Sequence, residues 1–309
     1  MKILVTGANG QLGSSILGWA TGCTYSDLDI EFKTKQDLDI TDQYSLETLF
    51  TLKNYDAVIN AAAYTNVDGA ETSRDLAELV NGKALVSLSK ACNKIGALLV
   101  HVSTDYVFPG NSCVAYKETD KPEPINHYGV TKWLGEEAIK SYCDHAIIIR
   151  TSWLFDHQGN NFVKKILKLA HKKHKSKDKE PLRIISDQIG APTYASDLAK
   201  FILNSLRNRS FKRKGVDFLN FTNTGIASWY DLAVTTVDEF NLNQVGYIRQ
   251  NIECEIVPIK TVDYPTPAKR PSFSLLDLGK LQKDFGVVPQ HWSRAVWDVT
   301  QFGFDSLVD

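Results

Sequence analysis

The feature that most constrains this chain lies at its start. A short β-branched run, Lys2-Ile3-Leu4-Val5-Thr6, breaks into Gly7-Ala8-Asn9-Gly10-Gln11-Leu12-Gly13, and an apolar helical pattern resumes at Ile16, Leu17 and Ala20. Strand, glycine turn and helix in that order form the context in which a glycine motif carries meaning. Gly7 suits the tight turn, Gly10 lets the backbone approach a diphosphate, and Gly13 lets helix and strand pack closely. A diphosphate would sit on the helix N-terminus, where free N–H groups and the helix dipole favour an anion. The spacing is G-x-x-G-x-x-G rather than G-x-G-x-x-G, so turn chemistry is the competing account. The position straight after the first strand favours nucleotide binding.

The strands that follow predict a doubly wound sheet. Thr24 to Leu28 reads as a second strand closing on Asp27 and Asp29, either of which could bond an adenosine ribose and favour NAD. Lys33 and Lys35 come next and could meet a 2′-phosphate instead, so NAD and NADP both stay open. Asp37-Leu38-Asp39 reads as the end of a third strand, beside an adenine, and Thr41 as the N-cap of a helix over 42–52. Asp56 to Asn60 and Leu98 to Asp105 are nearly continuous apolar runs, as expected of buried parallel strands. The first runs into Ala61-Ala62-Ala63-Tyr64-Thr65, small residues that admit either a flat ligand or a tight strand–helix corner. A long helix is expected over 75–95. The 98–105 run ends in Ser103, Thr104 and Asp105, where open α/β sheets bind ligands; Ser/Thr and Asx turns are the plainer reading. Ala146 to Thr151 is a further buried strand.

Tyr128 and Lys132 stand four apart at the start of a helical run, on one face of it. A phenol is ordinarily too weak an acid to donate a proton near neutrality, with a pKa of about 10. A nearby cation favours its phenolate, and a tyrosine so placed serves as a general acid. The same pair also arises by accident on amphipathic helices.

After Trp153 the character changes. A helix over 162–174 leads into a lysine run that reads as a solvated helix end complementing the dipole. A helix over 196–208, a strand near Phe218 to Phe221 and a helix over 228–240 follow. Pro265, Pro267 and Pro271 exclude a helix or central strand there. Arg270 is a candidate phosphate partner or a surface arginine.

The 309 residues are 43% hydrophobic and 23% charged, enough to bury a large core. A net charge of -1 gives no reason to expect nucleic acid as a partner. Five scattered cysteines read as reduced thiols of a cytoplasmic protein. The first apolar run is too short for a signal peptide and no segment reads as a membrane span.

With the glycine turn, the Ser103-Thr104-Asp105 strand end and the Tyr128/Lys132 pair in order, the chain resembles the extended short-chain dehydrogenase/reductases. Arg150-Thr151-Ser152-Trp153, Gly159-Asn160-Asn161-Phe162, Asp187-Gln188 to Thr193 and Tyr264-Pro265-Thr266-Pro267-Ala268 to Pro271 are similar to the dTDP-4-dehydrorhamnose reductase branch. The resemblance implies an α/β Rossmann-like doubly wound parallel sheet, with a smaller C-terminal α/β substrate-binding domain. Residues 1–152 with about 196–223 would bind NAD(P), and 153–195 with 224–309 the sugar nucleotide. It implies NADPH, with NADH possible, reducing the C4 keto group of dTDP-4-dehydro-β-L-rhamnose. Reduction of another nucleotide-linked 4-keto-6-deoxysugar, or a non-catalytic NADP-binding regulatory role, is the alternative.

Residue by residue, Tyr128 matches the catalytic acid, Lys132 the lysine that binds the nicotinamide ribose, and Thr104 the hydroxyl on the keto oxygen. Asp105, Trp153 and Arg270 fall to the sugar nucleotide. Gly7, Gly10, Gln11, Leu12 and Gly13 fall to the diphosphate, and Asp39 and Ile40 to the adenine. Ala61 to Thr65 and Val102 lie along the cofactor. Some members form a magnesium-bridged dimer through glutamates, one of them in the first helix. Here that helix carries Ser14-Ser15-Ile16, so no metal is expected, and a monomer or homodimer is.

Overall fold

A computed structural model describes residues 1–177, 179–211, 214–243 and 251–302. Parts of the expected C-terminal unit, 244–250 and 303–309, therefore lie outside the described residues.

The organising element is a six-stranded sheet with every neighbour parallel. It is built from β1 (Lys2–Thr6), β2 (Asp29–Lys33), β3 (Ala57–Asn60), β4 (Leu98–Thr104), β5 (His145–Thr151) and a sixth strand, Gly215–Asn220. The sixth strand flanks β5 at one edge, and from there the order runs β5, β4, β3, β1 and β2. The order reverses between β1 and β3, which in such sheets opens a crevice at the strands' carboxyl ends. Apolar side chains fill both faces. Ile3, Val5, Ile59 and Val100 pack with helices Gln11–Thr21 and Ala195–Arg207 on one side. Leu4, Val58, Leu99 and Ile148 pack with Gln43–Leu52, Ala84–Ile95 and His127–Tyr142 on the other.

A separate core lies beyond β5. Helices Phe162–Ser176, Trp229–Leu242 and Trp292–Thr300 enclose Phe155, Val163, Leu167, Phe240 and Val296, beside a parallel pair of strands, Leu182–Ile185 and Ile256–Ile259. No helix among the described residues is long and apolar enough to cross a membrane.

Four local expectations are corrected. The second strand lies over 29–33, because Ile30 and Phe32 pack against the sheet core while Cys23–Tyr25 coil into a 3-10 turn. Asp29 then pairs with Lys2 at the amino end of β1, so Asp27 and Asp29 stand at the wrong edge to meet a ribose. Asp37 to Asp39 form a turn and no strand, since the Asp37 carboxylate accepts from the Thr34 amide at 3.0 Å and Asp39 from the Thr41 amide at 2.9 Å. The helix cap is Asp42, whose carboxylate accepts from the Tyr44 and Ser45 amides at 3.0 and 3.2 Å. The long helix expected over 75–95 is interrupted by one π turn, Leu79–Lys83.

Candidate active site

The crevice at the carboxyl ends of β1, β3, β4 and β5 has a volume of about 640 Å³. One wall is the glycine turn. Gly10 caps the helix Gln11–Thr21 with no side chain bonded to the first turn, and Gly10, Gln11 and Leu12 line the crevice there. Gly7 and Gly13 lie beneath the wall. A Cβ on Gly13 would come 2.3 Å from the Gly7 carbonyl oxygen, so only glycine lets the helix start this close to the strand. These features fit a diphosphate, which needs bare backbone and a positive helix end.

Ala61, Ala62, Ala63 and Thr65 line the floor together with Val102, Thr104 and Asp105. Tyr64 turns its backbone the other way, donating its amide to Asn81 Oδ1 at 2.9 Å. Tyr128 and Lys132 enter from the helix His127–Tyr142. Asn126 caps that helix, accepting from the Gly129 amide at 2.8 Å. A Cβ on Gly129 would lie 2.1 Å from the Tyr106 carbonyl oxygen. Glycine therefore lets the helix press onto the chain leaving β4, which brings Tyr128 beside Thr104. Trp153 closes the far wall, stacked on Trp229 with ring centroids 3.7 Å apart.

Burial sets the charges here. It raises the Tyr128 phenol well above its ordinary range, while the Thr104 hydroxyl beside it pulls the other way. It lifts the Asp105 carboxyl to about 7, against hydrogen bonds from Ser274 and Thr104. It lowers the Lys132 ammonium to about 8, against the favourable charge of Glu136. A protonated phenol, a hydroxyl and a lysine poised between two charge states can donate hydrogen bonds and a proton to an oxygen that gains negative charge.

Besides Tyr64 and the underlying Gly7 and Gly13, three more expected residues stand apart from the crevice lining. Asp39 bonds its own turn, and Ile40 is buried in the core under β1. Arg270 grips Asp68 through two hydrogen bonds, of 3.0 and 2.8 Å. Conversely, Trp229 lines the crevice with no motif to announce it, while Gly159 and Asn160 line it from a segment that carried the resemblance. Trp229 is an aromatic at an ordinary capped helix start, and it reaches the site by stacking on Trp153, which follows β5. Ser15, on the first helix, donates to Asp156 Oδ2 at 2.5 Å and so ties that helix to the chain beyond β5.

The family model for the RmlD substrate binding domain matches residues 1–302. The chain belongs to this RmlD family. It is 38% identical over 304 residues to the dTDP-4-dehydrorhamnose reductase of Aggregatibacter actinomycetemcomitans, covering 97% of this chain and 99% of that one. Among solved structures it is similar to a dTDP-4-dehydrorhamnose reductase of Clostridium acetobutylicum, with a TM-score of 0.86, 34% identity and 98% and 99% of the two chains covered. A dTDP-4-dehydrorhamnose reductase of Bacillus anthracis, solved in complex with NADP, has the same TM-score at 31% identity, covering 98% and 99%. Membership in the RmlD family accords with a parallel sheet whose crevice carries a glycine cradle at one end and a tyrosine–lysine pair at the other.

Proposed function

We propose that this chain is an NADPH-dependent oxidoreductase that reduces the C4 keto group of dTDP-4-dehydro-β-L-rhamnose to give dTDP-L-rhamnose. The observation that carries the reading is the gathering of Thr104, Tyr128 and Lys132 in one crevice with the glycine cradle, in a chain matched nearly end to end by reductases of that name. NADPH, when bound, supplies the hydride. The amides after Gly10 would hold its diphosphate, and Lys132 its nicotinamide ribose. Lys33, at the carboxyl end of β2, and Lys35 just beyond it are the cations proposed for a 2′-phosphate.

Tyr128 is the proposed proton donor. Its raised pKa keeps the phenol protonated until an alkoxide develops beside it. Thr104 would donate a second hydrogen bond to the same oxygen. Donors aimed where charge grows lower the barrier more than donors aimed at the ground state. The Lys132 ammonium would steady the phenolate left behind. Asp105 and Trp153 would hold the sugar. Residues 1–152 with about 196–223 are proposed as the cofactor unit, and 153–195 with 224–309 as the sugar-nucleotide unit. The enzyme is proposed to act in the cytoplasm as a monomer or homodimer, without metal.

The deciding experiment is the loss of NADPH absorbance with enzymatically prepared dTDP-4-dehydro-L-rhamnose, with NADH in parallel. Rapid oxidation yielding dTDP-L-rhamnose is expected. Tight NADPH binding without oxidation would sink the reading.

A further inference from the structure

A line of buried polar side chains crosses the sheet and ends on Lys132. Thr6, Asn60 and His101 occupy matched positions on β1, β3 and β4. All three are buried. Asn60 Oδ1 accepts from the Thr6 hydroxyl at 2.7 Å and from the Ala62 amide at 3.3 Å. A backbone amide can only donate, which fixes the oxygen of Asn60 on that side. Asn60 Nδ2 therefore turns to His101 Nδ1, 3.0 Å away. An amide NH₂ also only donates, so Nδ1 is the accepting nitrogen and the ring proton sits on Nε2. Burial disfavours a second proton, holding the imidazole well below its ordinary range and so neutral. Nε2 lies 3.3 Å from Lys132 Nζ, which also donates to the Val102 carbonyl at 2.7 Å.

We propose that His101, locked by Asn60 with its proton on Nε2, is a positioning residue that sets the charge of Lys132 by turning a donor toward its amine. An ammonium cannot accept that N–H, whereas the neutral amine accepts it through its lone pair. The imidazole therefore opposes the charged lysine. The other charged groups around Lys132 lie on three elements. Tyr128 and Glu136 share its helix, and Glu136 favours the ammonium while being bound by Arg150 of β5. Asp105 approaches Tyr128 from the turn after β4. The inference rests on the reductase reading, in which Lys132 works as an ammonium, and adds to it that the alkaline limit of activity is governed from the sheet.

Two substitutions test it. In His101→Gln the amide can rotate its carbonyl oxygen to the lysine. In Asn60→Asp the new carboxylate draws the ring proton to Nδ1 and leaves Nε2 as an acceptor. Both should raise the alkaline midpoint of the kcat–pH profile by about one unit, a tenfold change in the lysine's proton affinity. The midpoint of NADPH affinity against pH, followed by nucleotide fluorescence, should move with it. A merely structural role would lower kcat or the melting temperature and leave both midpoints in place. An unmoved midpoint in either variant, shown to be folded by near-ultraviolet circular dichroism, overturns the proposal. If the wild type binds NADPH but reduces no keto sugar, the reductase reading fails, and the affinity midpoints still decide the role of His101.

Discussion

Glu136 lies one helical turn beyond Lys132 and is held by Arg150 through two hydrogen bonds, of 3.0 and 2.7 Å. The two side chains are 1% and 2% exposed. Ser103 donates to the same carboxylate at 2.6 Å, and the guanidinium lies between the Phe108 and Phe218 rings. One ion pair thus fixes the helix that carries Tyr128 and Lys132 to the ends of β4 and β5.

Arg150→Met keeps much of the volume and strands the Glu136 carboxylate. Leaving one partner of a buried pair unpaired costs about 3–5 kcal/mol. Urea unfolding should show a loss of that order.

Tyr128→Phe removes the hydroxyl that is the proposed proton donor and keeps the ring, which packs edge-on against Tyr106 with centroids 5.9 Å apart. We expect kcat to fall about a hundredfold or more, the usual scale for a general acid. NADPH affinity, measured by fluorescence titration, should stay within a few-fold of wild type.

Lys33 stands at the carboxyl end of β2, 3.2 Å from Glu31. Lys33→Ala should raise KM for NADPH roughly tenfold, corresponding to about 1.4 kcal/mol, and leave KM for NADH nearly unchanged. Parallel steady-state kinetics with the two cofactors would measure this. An unchanged ratio would move the 2′-phosphate contact elsewhere.

Asp105 binds its proton more tightly in the folded protein, at about 7 against a usual carboxyl value of 3.8. Between those values the native state holds more protons than the unfolded chain, so this group's contribution to stability falls as pH rises through the window. Asp105→Asn should therefore gain stability relative to wild type at pH 8, with the difference shrinking toward pH 4. Thermal melts across that range would show it.

The alternation of buried strands and amphipathic helices made the parallel sheet legible, and the glycine spacing made the cradle legible at its end. The site residues contributed by strand ends and by one helix face could be read the same way, because strand termini and the Tyr128–Lys132 spacing are local properties. The register of β2 was not legible. Thr24 to Leu28 is as strand-like as Asp29 to Lys33, and the choice is made by packing against the helix Ala195–Arg207, where Tyr25 bonds Asn204 at 2.9 Å. Trp229 and the Asn60–His101 line escaped for the same reason. Their meaning comes from neighbours distant in sequence, and a histidine inside an apolar strand carried the single local hint.

The sixth strand has a consequence for synthesis. β5 pairs from His145 to Arg150 with Gly215 to Asn220. When β5 leaves the ribosome its outer edge has no partner, and it stays bare until the polypeptide has been extended past the helices Phe162–Ser176 and Ala195–Arg207 to Asn220. An open parallel edge is a template for pairing with other chains. A fragment stopping short of residue 215 would thus keep the nucleotide cradle yet carry an open β5 edge that tends to pair with other chains.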